Sequence, residues 1–186
     1  MILVVAAVRH GTAWEIVGAS VFGTSLILLY AVSCLYHAFQ KPALKRLFQI
    51  LDHGFIFVLI AGSYTPFVIG PLRGLTGWWL FGIVWAMAIG GFILKIVFAG
   101  KYEKPLSFLY LAMGWLIVFA ASRILETMPA VGIWWLVAGG VAYSVGIVFF
   151  LMDRVKFAHA IWHLFVLGGS VAHFFAVLYG VVLIAR

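Results

Sequence analysis

Charged side chains are scarce in this chain of 186 residues: Asp, Glu, Lys and Arg together make up 9% of it, while 66% of the residues are hydrophobic. Soluble domains carry roughly a quarter charged residues, so the composition excludes an ordinary soluble fold and predicts an integral membrane protein. The net charge of +7 does not indicate a nucleic-acid partner, because the basic residues stand in short segments between apolar runs, as membrane topology signals do.

Cysteine is almost absent, since Cys34 is the only one in the chain. A single cysteine excludes an internal disulfide and a zinc site built from thiolates, and we interpret Cys34 as a packing residue. Low-complexity tracts and long linkers are absent too. We therefore predict one transmembrane domain over residues 1–186.

Six apolar segments are long enough to cross a bilayer, which takes roughly 20 helical residues. The predicted fold is all-α, a polytopic transmembrane helix bundle. Residues 1–8 would reach only about 12 Å as a helix and have no basic start typical of a signal peptide, so we interpret them as the remnant of a truncated first helix. Pro66 predicts a kink or an end in its helix. The predicted spans are 17–39, 48–70, 76–98, 105–122, 130–151 and 157–185.

Lysine and arginine residues fall unequally on the two sides of these spans, eight against four. Short loops rich in these residues stay in the cytoplasm, so the richer side is predicted to be cytoplasmic and the C-terminus to lie outside. The cytoplasmic group is Lys41, Lys45, Arg46, Lys95, Lys101, Lys104, Arg154 and Lys156, and the outer group is Arg9, Arg73, Arg123 and Arg186.

The most informative polar residues are His159 and His163, which stand four apart in HAIWH. On a helix this spacing puts both imidazoles on one face. In the predicted topology His37 ends one helix and Asp52 opens the next, so all four residues lie at a similar depth near the cytoplasmic side. Ionisable groups are costly inside a bilayer and indicate a functional site.

Three neutral imidazoles suit a tetrahedral Zn²⁺ and leave its fourth position open, which is the catalytic pattern. We assign His37, His159 and His163 as ligands, although iron, manganese and nickel are also compatible with such a site. Asp52 is favoured as a general base over a direct ligand or a helix cap. Ser33, one turn before His37, is favoured as an oxyanion donor or an orienting group over a bond to its own helix.

Three further histidines have weaker signals. His53 is adjacent to Asp52 and points about 100° away on the helix, so we expect it to pack against a neighbouring helix. His173 lies ten residues beyond His163, about 15 Å along the axis, and is expected to line a cavity or to bond across helices. His10 is expected to stand in a loop without a role.

The sequence resembles the hemolysin III family, within the progestin and adipoQ receptor superfamily. The matching segments are SCLYH at 33–37, LDHGFIFVLIAGSYTPF at 51–67 and HAIWHLFVLGGSVAHFF at 159–175. The resemblance implies seven transmembrane helices and places the protein beside the adiponectin receptors and the alkaline ceramidases, which are intramembrane zinc hydrolases of lipid amides. The short termini are similar to those of bacterial members, which implies a bacterial inner membrane.

The resemblance also implies roles for individual residues. His37, His159 and His163 match the family's zinc ligands at the cytoplasmic side. Asp52 matches the residue that contacts the metal's water, and Ser33 matches the serine that precedes the first ligand.

The leading interpretation is a zinc-dependent intramembrane hydrolase of lipid amide or ester bonds, similar to a ceramidase and acting in membrane lipid homeostasis. Its partners would be membrane lipids and a lipid-like substrate inside the helix bundle. One alternative is a non-catalytic sensor of lipids or membrane state, a receptor-like regulator with structural zinc. Another is a pore-forming cytolysin, but no continuous polar stripe runs through the spans, as a conducting path requires.

Overall fold

The computed structural model describes residues 1–98, 102–152 and 154–184, which form helices joined by short turns. The helices are α1 Ile2–His10, α2 Ala13–Ala38, α3 Pro42–Ile69, α4 Leu75–Phe98, α5 Glu103–Trp115, α6 Ala121–Thr127, α7 Ala130–Leu151 and α8 Ala158–Val177. A five-residue 3-10 segment, Leu116–Ala120, joins α5 to α6, and a π-helical turn, Leu178–Val182, follows α8.

Six of the described segments are long and apolar enough to cross a membrane, which confirms the predicted polytopic helix bundle. They are Ala13–Ala38, Pro42–Ile69, Leu75–Phe98, Pro105–Thr127, Ala130–Leu151 and Ala158–Val182. The short helix α1 buries Leu3 and Ala7 against the bundle, and its interpretation as part of a longer helix stays a prediction. Lys101 and Arg186, which were used for orientation, lie outside the described residues.

The helix α3 differs from its prediction at its start. It begins at Pro42 rather than at 48, because proline suits the first turn of a helix and Lys41 accepts a bond from the backbone of Lys45. Asp52 is therefore ten residues, about 15 Å, into the helix. Pro66 does not end α3, which continues to Ile69.

The segment around Pro66 is instead a close contact between α2 and α3. A Cβ atom added at Gly18 would lie 2.7 Å from the Cα of Pro66, so only a glycine lets the two helices approach so closely. The aromatic edge contact between Trp14 and Trp78, with centroids 6.0 Å apart, places the starts of α2 and α4 at the same end of the bundle. His37 lies at the opposite end of α2.

The fourth span is broken where a single helix was predicted. The 3-10 segment interrupts it, and the Tyr64 hydroxyl of α3 replaces backbone bonds that the break removes. This hydroxyl accepts a bond from the Ile117 amide at 2.8 Å and lies 2.9 Å and 2.6 Å from the carbonyl oxygens of Met113 and Gly114. A side chain thus satisfies polar backbone groups that hydrocarbon cannot.

Helix packing leaves a cavity on the side of the broken span. The most closely packed pairs are α2 with α3, α7 with α8 and α3 with α4, whereas α5 and α6 make fewer contacts. The resulting cavity of about 330 Å³ is lined mainly by apolar side chains from α3, the broken span, α7 and α8. Its polar or aromatic lining residues include Ser63, Tyr64, Tyr110, Trp115, Tyr143 and His173.

Candidate metal centre

Three histidines from two helices converge at one end of the bundle. The Nε2 atom of His163 lies 3.3 Å from Nε2 of His37 and 3.1 Å from Nε2 of His159. Each residue offers a ligand atom within 4.8 Å of the others. The predicted convergence of these three side chains is therefore confirmed.

The ends of the two helices position this cluster. The helix α2 ends one residue after His37, at Ala38, where the Phe39 amide still bonds to the Leu35 carbonyl. The helix α8 begins one residue before His159, and the preceding Phe157 has a φ of 65°. A bulky residue in this left-handed region is uncommon, and here it turns the chain so that the first two turns of α8 face the end of α2.

The separations of the three nitrogens are compatible with a shared metal ion such as zinc. A ring nitrogen carries either a hydrogen or a lone pair, so Nε2 of His163 cannot donate to one neighbour while it accepts from the other. Zinc with Zn–N bonds near 2.0–2.1 Å in tetrahedral geometry separates its nitrogens by about 3.3 Å. The observed separations of 3.1 Å and 3.3 Å agree with that arrangement.

Asp52 and Ser33 lie in the small cleft beside the histidines, which His159 and His163 also line. Both are buried, with exposures of 6% and 9%, and both line the same cleft. Asp52 does not cap a helix, because α3 begins ten residues earlier, so that alternative is wrong. The roles of both residues in catalysis stay predictions.

Two of the remaining histidines behave as expected. His53 packs edge-on against the ring of Phe150 on α7, with centroids 5.6 Å apart, which confirms its predicted packing. His173 lines the apolar cavity, but its Nδ1 bonds to the Gly169 carbonyl of its own helix at 2.8 Å rather than across helices.

Two minor predictions are wrong. His10 is not in a loop but is the last residue of α1, where it is exposed. Cys34 is exposed on α2 rather than packed inside the bundle, because it points about 100° away from its buried neighbour Ser33 on the helix.

Sequence reasoning missed a chain of hydroxyl groups near the centre of the bundle. Tyr30 on α2 donates to Ser170 on α8 at 2.9 Å, and Tyr143 on α7 lies 2.9 Å from the same serine oxygen. One signal was available, because Ser170 follows His163 by seven residues, two helical turns, and so lies on the same face of α8.

These features define a polytopic helical membrane protein with a three-histidine cluster at one end of the bundle. Residues 1–174 match the sequence model of the family described as Haemolysin-III related. The chain belongs to this family, which confirms the resemblance seen in its motifs.

Three curated relatives illustrate the range of this similarity. Hemolysin-3 of Bacillus cereus is 49% identical over 179 residues, which cover 96% of this chain and 82% of the relative. The Hemolysin-3 homolog of Bacillus subtilis (strain 168) is 45% identical over 177 residues, covering 95% and 83%. The human monocyte to macrophage differentiation factor is 34% identical over 175 residues, covering 88% and 70%.

Proposed function

We propose that this protein is a zinc-dependent hydrolase that cleaves the amide or ester bond of a lipid within the membrane. The observation that carries the proposal is the convergence of three imidazole nitrogens beside a buried carboxylate in one cleft. His37, His159 and His163 would hold the zinc. Bound zinc supplies Lewis acidity, which polarises a carbonyl group and acidifies water.

Asp52 is the residue that moves the proton. Hydrolysis adds the hydroxyl of water to the acyl carbon and a proton to the leaving nitrogen or oxygen. The buried carboxylate of Asp52 takes the proton from water and returns it to the leaving group, as a general base and then a general acid. Ser33, which lines the same cleft, would orient this carboxylate by donating a hydrogen bond to it.

The apolar cavity provides the space for the hydrocarbon chain of the substrate. Its volume of about 330 Å³ is within the range of small-molecule sites. Leu29, Ile56, Trp162 and Val166 line both this cavity and the cleft at the histidines. The two spaces are therefore neighbours, and a lipid whose chain fills the cavity would extend its polar end into the cleft.

The orientation of the site belongs to the same proposal. We assign the histidine cluster to the cytoplasmic side of a bacterial inner membrane, because Lys41, Lys45 and Arg46 follow His37 directly. Lys45 lies over the ring of Tyr36, 5.7 Å from its centroid, so this basic segment is at the cluster's end of the bundle. Basic segments of this kind stay in the cytoplasm.

The test combines metal content with turnover in protein purified in detergent. We expect about one zinc per chain by elemental mass spectrometry in the wild type and in His10→Ala, whose exposed imidazole is a matched control outside the cluster. His163→Ala should lose the zinc, because its nitrogen is the one shared by both close pairs. Lipid amides and esters should be hydrolysed by the wild type and the control but not by His163→Ala.

Each departure from this pattern has a definite meaning. A stoichiometric zinc without turnover of any lipid amide or ester would replace the hydrolase by a sensor with structural zinc. Absence of zinc from the wild type would overturn both.

A further inference from the structure

The wall of the apolar cavity contains a small polar patch made by two helices. Tyr143 on α7 and His173 on α8 both line the cavity, and their rings stack with centroids 5.0 Å apart. Tyr143 also joins the hydroxyl chain through Ser170 to Tyr30. Tyr30 lines the cleft at the histidines, so the hydroxyl chain connects the apolar cavity with this cleft.

One hydroxyl hydrogen of the hydroxyl chain has no acceptor within it. Tyr30, Ser170 and Tyr143 have three hydroxyl hydrogens, but only two hydrogen bonds join them among the described residues. Tyr30 donates to Ser170. Whichever way the second bond runs, the hydrogen of either Tyr143 or Ser170 has no protein acceptor in the described part of the chain. A buried hydroxyl hydrogen without an acceptor is unfavourable.

The neighbouring histidine supplies the complementary group. The Gly169 carbonyl can only accept, so Nδ1 of His173 carries the hydrogen of their 2.8 Å bond. In a neutral imidazole the other nitrogen, Nε2, then has a lone pair, which no described residue contacts as a donor. When Ser170 donates to Tyr143, the spare hydrogen is on Tyr143, which lines the cavity and stacks on His173. A donor on Tyr143 and an acceptor on His173 then both belong to the cavity wall.

We propose that Tyr143, Ser170 and His173 form a binding site for a hydroxyl group carried on the hydrocarbon chain of a lipid. A hydroxyl is the smallest group that accepts one hydrogen bond and donates another. Ser170 is seven residues beyond His163, about 10 Å along α8. The recognised hydroxyl group therefore lies about 10 Å from the zinc site, within the hydrocarbon chain of the lipid rather than at its polar end.

The proposal deepens the proposed function, and its meaning for turnover rests on that function. Binding at the polar patch does not require zinc, because none of its residues belongs to the histidine cluster. The hydroxyl site and the zinc hydrolase can therefore be refuted independently, and the same set of protein variants tests both.

The experiment compares octadecanoic acid with hydroxyoctadecanoic acids, each of which carries a single hydroxyl group at a different position of the hydrocarbon chain. Each acid displaces a fluorescent fatty acid from the detergent-purified protein. We expect isomers with a mid-chain hydroxyl group to bind about tenfold more tightly than octadecanoic acid, because they satisfy both buried groups. The same preference should persist in His163→Ala, which has lost the proposed zinc ligand.

Variants of the patch identify its residues. Tyr143→Phe should abolish the preference, because the hydroxyl hydrogen that remains is on Ser170, which does not line the cavity. His173→Phe, which removes the acceptor, should do the same and serves if the first variant folds poorly. Ser63→Ala is the matched control, because Ser63 also lines the cavity but its hydroxyl already donates to the Ile60 carbonyl at 2.8 Å. It should keep the preference.

Two results would overturn the hydroxyl site. One is equal binding of all the acids by the wild type, which would mean that water satisfies the patch. The other is an unchanged preference in folded Tyr143→Phe and His173→Phe. By contrast, the wild type could prefer the hydroxylated acids and yet contain no zinc or hydrolyse no lipid. That result would overturn only the proposed hydrolase.

Discussion

Removing the hydroxyl group of Tyr64 should destabilise the broken fourth span. In Tyr64→Phe the Ile117 amide loses its 2.8 Å acceptor, and the Gly114 carbonyl loses its 2.6 Å donor. The Met113 carbonyl keeps its bond from the Leu116 amide. Leaving a buried backbone group unsatisfied costs about 1–3 kcal/mol, so we expect the free energy of unfolding to fall by at least about 1 kcal/mol.

The assay is unfolding in mixed micelles followed by circular dichroism. Tyr179→Phe is the control, because Tyr179 has no described hydrogen bond and keeps its ring stack on Phe175; its stability should change by less than about 0.5 kcal/mol. The break also lines the cavity through Trp115 and Ile117, so Tyr64→Phe should weaken binding of octadecanoic acid as well. Equal stability of the two variants would refute this explanation of the break.

Three further predictions concern the two sites. Asp52→Asn should keep its zinc but lose about 10²–10⁴-fold in turnover of lipid amides, the usual effect of losing a general base; full activity would exclude Asp52 from proton transfer. Chelation should abolish turnover and lower the unfolding temperature, because zinc binds the folded state, and added zinc should restore both. Gly139→Ala would bring a Cβ atom to 2.3 Å from Nδ1 of His173, so it should displace that ring and remove the preference for hydroxylated acids while zinc content stays unchanged. An unaltered preference in that variant would mean that His173 has no part in binding.

The spans were predictable because long apolar runs have few alternatives in a membrane protein. Their ends were less predictable. The start of α3 was misplaced because Lys45 and Arg46 indicate a loop by their charge, yet both residues fit within the first turns of a helix that starts at Pro42.

The break at Leu116–Ala120 could not be predicted, because that segment contains no proline or glycine. The hydroxyl group that bonds to the break belongs to Tyr64, 53 residues before Ile117 in the sequence, and such a tertiary contact leaves no local pattern.

The candidate site divides in the same way. The convergence of His37, His159 and His163 could be predicted from helical spacing and the order of the spans, because only the topology was needed. The hydroxyl chain was invisible, because tyrosines such as Tyr30 and Tyr143 are common in apolar spans and nothing in their spacing pairs them across helices.

The most direct test of the zinc site is X-ray absorption at the zinc edge on protein purified without added metal. We predict three imidazole nitrogens at 2.0–2.1 Å and a fourth light-atom ligand, the pattern of an open His₃ site. His37→Ala should reduce the imidazole count or lose the metal. A sulfur ligand near 2.3 Å, or a spectrum unaffected by His37→Ala, would contradict the assignment of the cluster as the metal centre.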